Sequence, residues 1–98
     1  MSELGSEGLV GLSSRVRFRA VGEEGVVVHV ESGRVVVLNA TGLHVVKQLE
    51  QGSRTPAQLA DSLAAEFAVE PADAAADVAA FLAELDADRI LVSPAEAG

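Results

Sequence analysis

The side chains that could support chemistry in this 98-residue sequence are few and poorly placed for it. The two histidines, His29 and His44, do not share the short spacing that is typical of metal ligands. Asp73 and Asp77 could in principle exchange a proton, but no neighbouring motif marks a site that would perturb either carboxyl group. There is no cysteine, no serine nucleophile motif and no glycine-rich phosphate loop. We therefore expect no enzyme activity, no metal and no cofactor.

Composition narrows the class of protein further. Ninety-eight residues that are 49% apolar are enough for one globular domain with a modest core. The formal charge of −8 disfavours nucleic acid as a partner, because a phosphate backbone is bound largely through Lys and Arg. No signal peptide and no apolar run long enough to cross a bilayer is visible, so we expect no membrane partner. Together with the missing cysteines, this favours a cytoplasmic protein.

The first half of the folded part has the pattern of β-structure. Residues 15–21 alternate arginine with other residues, which predicts a half-buried strand with Val16 and Phe18 facing inwards. Residues 26–30 and 35–38 are rich in valine at successive positions and predict a second and a third strand. Such strands usually have both faces at least partly covered, so a free face or edge would invite a partner.

The second half has the pattern of helices. Residues 41–51 predict a first helix, and Thr55 with Gln58 forms the capping box that would open a second. A third helix is expected over residues 71–88, after which residues 90–92 close the core as an extended segment. The predicted fold class is α+β, with a three-stranded antiparallel meander followed by three helices. Residues 1–14 and 93–98 are expected to be a flexible N-terminal tail and a short C-terminal tail.

The predicted third helix carries two neighbouring stripes. Its apolar stripe consists of Val78, Phe81, Leu82 and Leu85. Its acidic stripe, directly beside it, consists of Asp73, Asp77, Glu84 and Asp88. The acidic stripe is open to two interpretations. It is either an ordinary solvated helix flank, or the rim of an apolar groove that suits a peptide with Lys or Arg next to apolar anchors.

Three segments in order carry a family resemblance: VVVLN at residues 35–39, LEQGSRT at residues 49–55 and DVAAFLAEL at residues 77–85. Together with the order of the expected elements, they resemble the PqqD-like domains. These include the peptide chaperone of pyrroloquinoline quinone biosynthesis and the recognition elements for ribosomally made, post-translationally modified peptides. The resemblance covers residues 15–92.

The resemblance implies a winged-helix-like domain that binds the leader segment of a precursor peptide. The leader would add as an extra strand to the third strand and lie against the third helix. The domain would present it to a tailoring enzyme such as a radical SAM enzyme, a cyclodehydratase or a leader peptidase. By position, strand pairing is assigned to Arg34, Val35, Val36, Val37 and Leu38. The groove wall is assigned to Asp77, Val78, Phe81 and Leu85.

One position departs from a subgroup of this family. Members from lasso-peptide systems often carry an aromatic pair just before Leu-Asn, where this sequence has Val36 and Val37. That argues against the lasso type in particular. Two other classes of function remain open from the residues alone. A winged-helix DNA-binding domain would share the elements but conflicts with the charge, and a homodimer could form through the valine-rich strand edge.

Overall fold

The computed structural model of the chain describes residues 8–92, so the expected C-terminal tail and residues 1–7 of the expected N-terminal tail lie outside it. This part contains a three-stranded meander and three helices, with one short strand before them and one after. In chain order the elements are β1 (Gly11–Leu12), β2 (Val16–Val21), β3 (Glu24–His29), β4 (Val35–Leu38), α1 (Ala40–Gln51), α2 (Pro56–Phe67), α3 (Pro71–Ala87) and β5 (Leu91–Val92).

The meander β2-β3-β4 is antiparallel throughout, and its register places Phe18, Val27 and Val36 side by side. The α+β class with three antiparallel strands before three helices is confirmed. The β2–β3 turn has Gly22 at its first central position with φ of 63°, which is the arrangement of a type II′ hairpin. Val16 is buried and Phe18 packs partly buried against the core, as the alternation predicts.

α1 packs on the inner face of this sheet, and α2 and α3 share the same core. Val27, Leu38, Val46, Leu59 and Leu63 are buried in one apolar cluster that the sheet shares with α1 and α2. α3 adds Ala74, Val78, Leu82 and Leu85 to the cluster, and α2 and α3 pack directly together. No helix within residues 8–92 is long and apolar enough to cross a membrane.

Local hydrogen bonds define where the helices begin. Asn39 caps α1, since its Oδ1 accepts from the Gly42 N–H at 2.9 Å. The capping box expected at α2 is present: the Gln58 N–H donates to Thr55 Oγ1 at 3.1 Å, and the Thr55 N–H donates to Gln58 Oε1 at 2.9 Å. Both caps satisfy amides that have no partner inside the helix, so these helix starts are specified by adjacent sequence.

The N-terminal end of the fold differs from the expectation of a tail up to Ser14. β1 pairs antiparallel with β5, with Leu12 opposite Leu91. Just before it, the Val10 N–H donates to the Arg54 carbonyl at 2.8 Å. Residues 10–12 are therefore part of the structure. Sequence periodicity cannot show this, because a two-residue strand has no period and its partner lies at the far end of the chain.

A close contact at Gly25 generates a stability prediction. A Cβ on this buried glycine would lie 2.8 Å from the Arg19 carbonyl oxygen and 3.0 Å from Leu43 Cδ1. We expect Gly25→Ala to lower the free energy of unfolding by about 1–3 kcal/mol through overpacking. Urea denaturation measures this. Ala20→Val, at the exposed position opposite Gly25 on β2, should change the stability by less than about 0.5 kcal/mol.

Candidate functional site

β4 is an edge strand whose outer backbone groups can be identified from the hydrogen-bond pattern. The His29 N–H donates to the Arg34 carbonyl at 2.9 Å, so these two residues form a hydrogen-bonded pair. Such pairs alternate along an antiparallel ladder. Val36 and Leu38 therefore direct their backbone groups towards β3, and Val35 and Val37 direct theirs away from it. Within residues 8–92 no further strand pairs with this edge.

The side chains of β4 alternate between the two faces of the sheet, although all four are apolar. Val36 and Leu38 point to the inner face and pack on or in the core. Val35 and Val37 lie on the outer face, where they are 55% and 76% exposed. A strand added at this edge would continue the same alternation. Every second side chain of an added segment would thus point inwards, towards α3.

A cleft of about 390 Å³ lies between the N-terminus of α1 and α3, and Asn39, which directly follows β4, is one of its lining residues. Its walls combine apolar side chains with carboxylates. They consist of Asn39, Thr41, Gly42, Val45, Leu63, Asp77, Val78, Ala80, Phe81 and Glu84. The cleft can therefore accept an apolar side chain and place a cationic one beside an acid.

Gly42 allows the aromatic wall of the cleft to lie close to α1. A Cβ at this position would be 3.2 Å from Phe81 Cζ, so the ring packs directly against the first turn of the helix. That first turn is fixed by Asn39, whose side-chain oxygen accepts from the Gly42 N–H and from the Thr41 hydroxyl at 3.0 Å. Sequence reasoning assigned no role to Asn39, Thr41 and Gly42. The signal was the Asn cap, which marks where the edge strand turns into the helix that lines the cleft.

The structure brings Asp77, Val78 and Phe81 together in the cleft, but it does not place Leu85 there. Leu85 is 0% exposed and does not line the cleft, whereas Val78, although only 1% exposed, is one of the lining residues. At this end of α3 the chain folds back, with the Ile90 N–H donating to the Leu85 carbonyl at 2.9 Å. Leu85 shares the apolar stripe with Val78, but it lies two turns further along, where the following segment closes the core. Leu85 is therefore a core residue and not, as the sequence predicts, part of the groove wall.

Arg34 is held at the opposite end of β4 from the cleft. Its Nε donates to Asp88 Oδ1 at 2.8 Å, which ties the β3–β4 turn to the end of α3. The acidic stripe is thereby divided. Asp77 and Glu84 line the cleft, Asp88 pairs with Arg34, and Asp73 is exposed outside the lining. Only part of the stripe can form the rim of a binding site.

The two histidines have structural contacts. His44 Nε2 lies 2.8 Å from Ser62 Oγ, and its ring meets Phe67 edge-on with a centroid distance of 5.6 Å. His29 is buried, and its Nδ1 accepts from the Ser32 N–H at 3.4 Å. In the described part of the chain no group of His, Asp and Glu side chains is arranged to hold a metal ion.

Comparison with known proteins gives a consistent family relationship. The family model for coenzyme PQQ synthesis protein D (PqqD) matches residues 24–91. No curated protein matches the sequence at a significant level.

Solved structures of the same fold extend this result. TbiB1 in complex with the TbiA(β) leader peptide is 27% identical, with a TM-score of 0.75 over 83% of this chain and 93% of that one. Lasso peptide synthetase B1 complexed with the leader peptide is 28% identical, with a TM-score of 0.72 over 85% of this chain and 96% of that one. The solution NMR structure of the PqqD truncation of Methylobacterium extorquens PqqCD, a stand-alone recognition element for ribosomally made and modified peptides, is 26% identical. Its TM-score is 0.74 over 92% of this chain and 95% of that one.

The corrected position of Leu85 can be tested against that of Asp77. We expect Leu85→Ala to lower the free energy of unfolding by about 2–5 kcal/mol, because it leaves a cavity in the core. Asp77→Ala removes an exposed side chain from the cleft rim and should change stability by less than about 0.5 kcal/mol. Thermal or urea unfolding of both variants measures the contrast. Equal, small losses would mean that Leu85 is not a core residue.

Proposed function

The chain belongs to the PqqD family, and on this premise we propose that it binds the leader segment of a ribosomally synthesised precursor peptide by strand addition at β4. The bound leader is then presented to a modifying enzyme or leader peptidase. The observation that carries the proposal is the outer edge of β4, which pairs with no strand within residues 8–92, and the cleft that begins at Asn39 and is lined by Asp77, Val78 and Phe81.

Backbone pairing supplies the part of the affinity that does not depend on the leader's sequence. Val35 and Val37 each offer one outward N–H and one outward carbonyl, which an extended peptide can satisfy. A typical hydrogen bond contributes about 0.5–1.5 kcal/mol net. The edge is therefore enough to orient and align a peptide, and selectivity comes from the side chains that the peptide places in the cleft.

The cleft favours a leader of a definite chemical type. An inward apolar side chain would contact mainly the partly exposed ring of Phe81, next to the buried Val78, and a neighbouring Lys or Arg would lie near Asp77 or Glu84. The outward side chains of the leader would extend the exposed face that Val35 and Val37 already form. A tailoring enzyme that docks on this face would contact the leader and the protein together.

The leader-bound relatives support this assignment. TbiB1 and lasso peptide synthetase B1, both complexed with leader peptides, share the fold over more than four fifths of this chain. Val36 and Val37 occupy the positions where an aromatic pair is common in lasso systems, and this difference leaves the fold similarity to lasso members intact. We propose a non-catalytic role in the cytoplasm, with a radical SAM enzyme, a cyclodehydratase or a leader peptidase as the partner that receives the leader.

The peptide-binding residues of this proposal are those of β4 and the cleft. We retain Arg34, Val35, Val36, Val37 and Leu38 as the strand, with pairing through the outward groups of Val35 and Val37. Arg34 limits the site at one end through its ion pair with Asp88. Asp77, Val78 and Phe81 form the cleft wall, and Asn39, Thr41 and Glu84 join them.

The strand-addition mechanism is tested by removing one outward donor. Val37→Pro deletes the N–H that faces the free edge, and proline is tolerated at edge positions where that group is not used inside the sheet. We expect affinity for a leader peptide that binds the unmodified protein to fall about tenfold or more, which corresponds to about 1.4 kcal/mol or more. Isothermal titration calorimetry measures the dissociation constant.

Val37→Ala is the matched control, because it shortens the same exposed side chain and keeps the N–H. We expect its affinity to stay within about threefold of the unmodified protein. Light scattering on each variant separates peptide binding from pairing of two copies through β4. If Val37→Pro bound the leader as tightly as Val37→Ala does, strand addition at this edge would be ruled out.

The charge preference of the cleft is tested with a synthetic nine-residue peptide that alternates lysine with leucine or valine. Asp77→Asn removes one negative charge at nearly constant shape. We expect a loss of affinity of about two- to fivefold at low ionic strength that shrinks as salt is raised, because a partly exposed charge pair is screened. A loss that is independent of salt would show that the carboxylate does not act through its charge.

A further inference from the structure

The meander has a second free edge, on β2, whose outward groups follow from the same hydrogen-bond rule. The Val30 N–H donates to the Arg15 carbonyl at 2.8 Å, so the hydrogen-bonded pairs continue at Arg17 and Arg19. Val16, Phe18 and Ala20 consequently direct their backbone groups away from β3. In the part of the chain that the structure describes, no strand pairs with this side of β2.

This edge also lies beside a cleft. The cleft has a volume of about 760 Å³ and separates β2 from β1 and the end of α1. Leu12, Val16, Phe18 and Leu49 supply apolar lining, and Glu50 lies among them. A strand added to β2 would point every second side chain into this space. The edge thus offers an added strand both outward backbone groups and an apolar surface.

The outer side of the same edge is cationic in a protein whose net charge is −8. Arg17 and Arg19 lie on the outer face and are exposed. The Arg17 guanidinium donates to the Val16 carbonyl at 2.9 Å and to the Ser14 carbonyl at 3.3 Å, so it closes the ladder at the Val16 end. The groups of Phe18 and Ala20 are left as the usable part of the edge.

The arginines disfavour a second copy of this chain as the occupant. Antiparallel pairing of β2 with itself through Phe18 would place Arg17 of each copy opposite Arg19 of the other. Like charges directly opposite each other destabilise a strand pair. The same two arginines favour a strand that carries carboxylates on its outward side.

We propose that the β2 edge is a second strand-docking site, which takes an extended protein segment that alternates acidic with apolar residues. The acidic side chains pair with Arg17 and Arg19 on the outer face. The apolar side chains fill the cleft against Leu12, Phe18 and Leu49. Such a segment belongs to a partner protein and not to the basic leader that suits the β4 cleft, since the two edges have opposite charge.

The two edges lie on opposite sides of a three-stranded sheet, so they can be occupied together. One bound strand at each edge would give a continuous five-stranded sheet, with the leader at one side and the partner at the other. The protein would then connect a peptide substrate to a second protein through main-chain pairing alone. This role goes beyond leader binding and does not depend on it.

The test uses the isotope-labelled full chain and a synthetic nine-residue peptide that alternates glutamate with leucine or valine. NMR titration is expected to shift the amide signals of residues 17–20 and to leave those of Val35 and Val37 unchanged. The matched peptide with lysine in place of glutamate is expected to bind this edge at least tenfold more weakly. Preferential binding of the glutamate peptide should decrease as salt is raised.

Charge-reversal and proline variants test whether the glutamate peptide binds at the β2 edge. Arg19→Glu is expected to weaken the glutamate peptide about tenfold, whereas Lys47→Glu, which makes the same charge change on the exposed side of α1, is expected to alter binding by less than twofold. Ala20→Pro removes an outward N–H and is expected to weaken binding, while Ala20→Val keeps it.

Two results would overturn the proposal. One is a shift pattern confined to Val35, Val37 and the cleft of α3, which would place the acidic peptide at the other edge. The other is equal binding of the glutamate and lysine peptides at residues 17–20. The amide signals of residues 17–20 report on β2 alone. Either result would therefore overturn docking at β2 without bearing on whether a leader binds at β4.

Discussion

The hydrogen-bond direction of β3 is the constraint on which the functional surfaces of this protein depend. As the central strand, β3 uses alternate residues for β2 and for β4, since successive backbone groups point to opposite sides. Once the pairs His29–Arg34 and Arg15–Val30 are fixed, the outward groups on both edges are fixed as well. Val35 and Val37 are presented on one side, and Phe18 and Ala20 on the other. A shift of one residue in either pairing would exchange the groups that a partner can reach.

The helices place a cleft at the end of one of these edges. Asn39 is the single residue between β4 and α1 and caps α1, so the edge and the helix that lines the cleft follow each other directly. Gly42 lets Phe81 pack against the first turn of α1, which holds α1 and α3 at the spacing that defines the cleft. Arg34 and Asp88 connect the sheet to α3 at the other end. The groove beside β4 is therefore held at both of its ends, and its middle is left open to a peptide.

The distribution of charge gives the two edges different chemistry. Asp77 and Glu84 stand beside the β4 edge, and Arg17 and Arg19 stand on β2. Strand addition by itself is tolerant of sequence, because it uses main-chain groups. In the proposed binding modes, opposite charges near the two edges supply the discrimination that backbone pairing lacks. The exposed valines of β4 lie between these regions, on the face where an added leader would be presented.

The order of the main strands and helices, and the residues at which helices begin, can be predicted from the amino-acid sequence. The alternation of residues 15–21 predicts Val16 and Phe18 on the inner side, and Thr55 with Gln58 predicts the start of α2. The absence of cysteine and the charge of −8 disfavour thiolate chemistry and nucleic-acid binding, and the resemblance to PqqD-like domains implies peptide recognition. These features depend on neighbours within a few residues, so periodicity and capping rules reveal them. Which members of a stripe line the cleft depends on tertiary contacts. Val78 and Leu85 share one helix face and are both buried, yet Val78 lines the cleft whereas the chain that returns through Ile90 covers Leu85. In the same way, β1 is a strand only because β5 lies beside it. Contacts between distant parts of the chain determine what covers a face, and a helical or strand period carries no information about them.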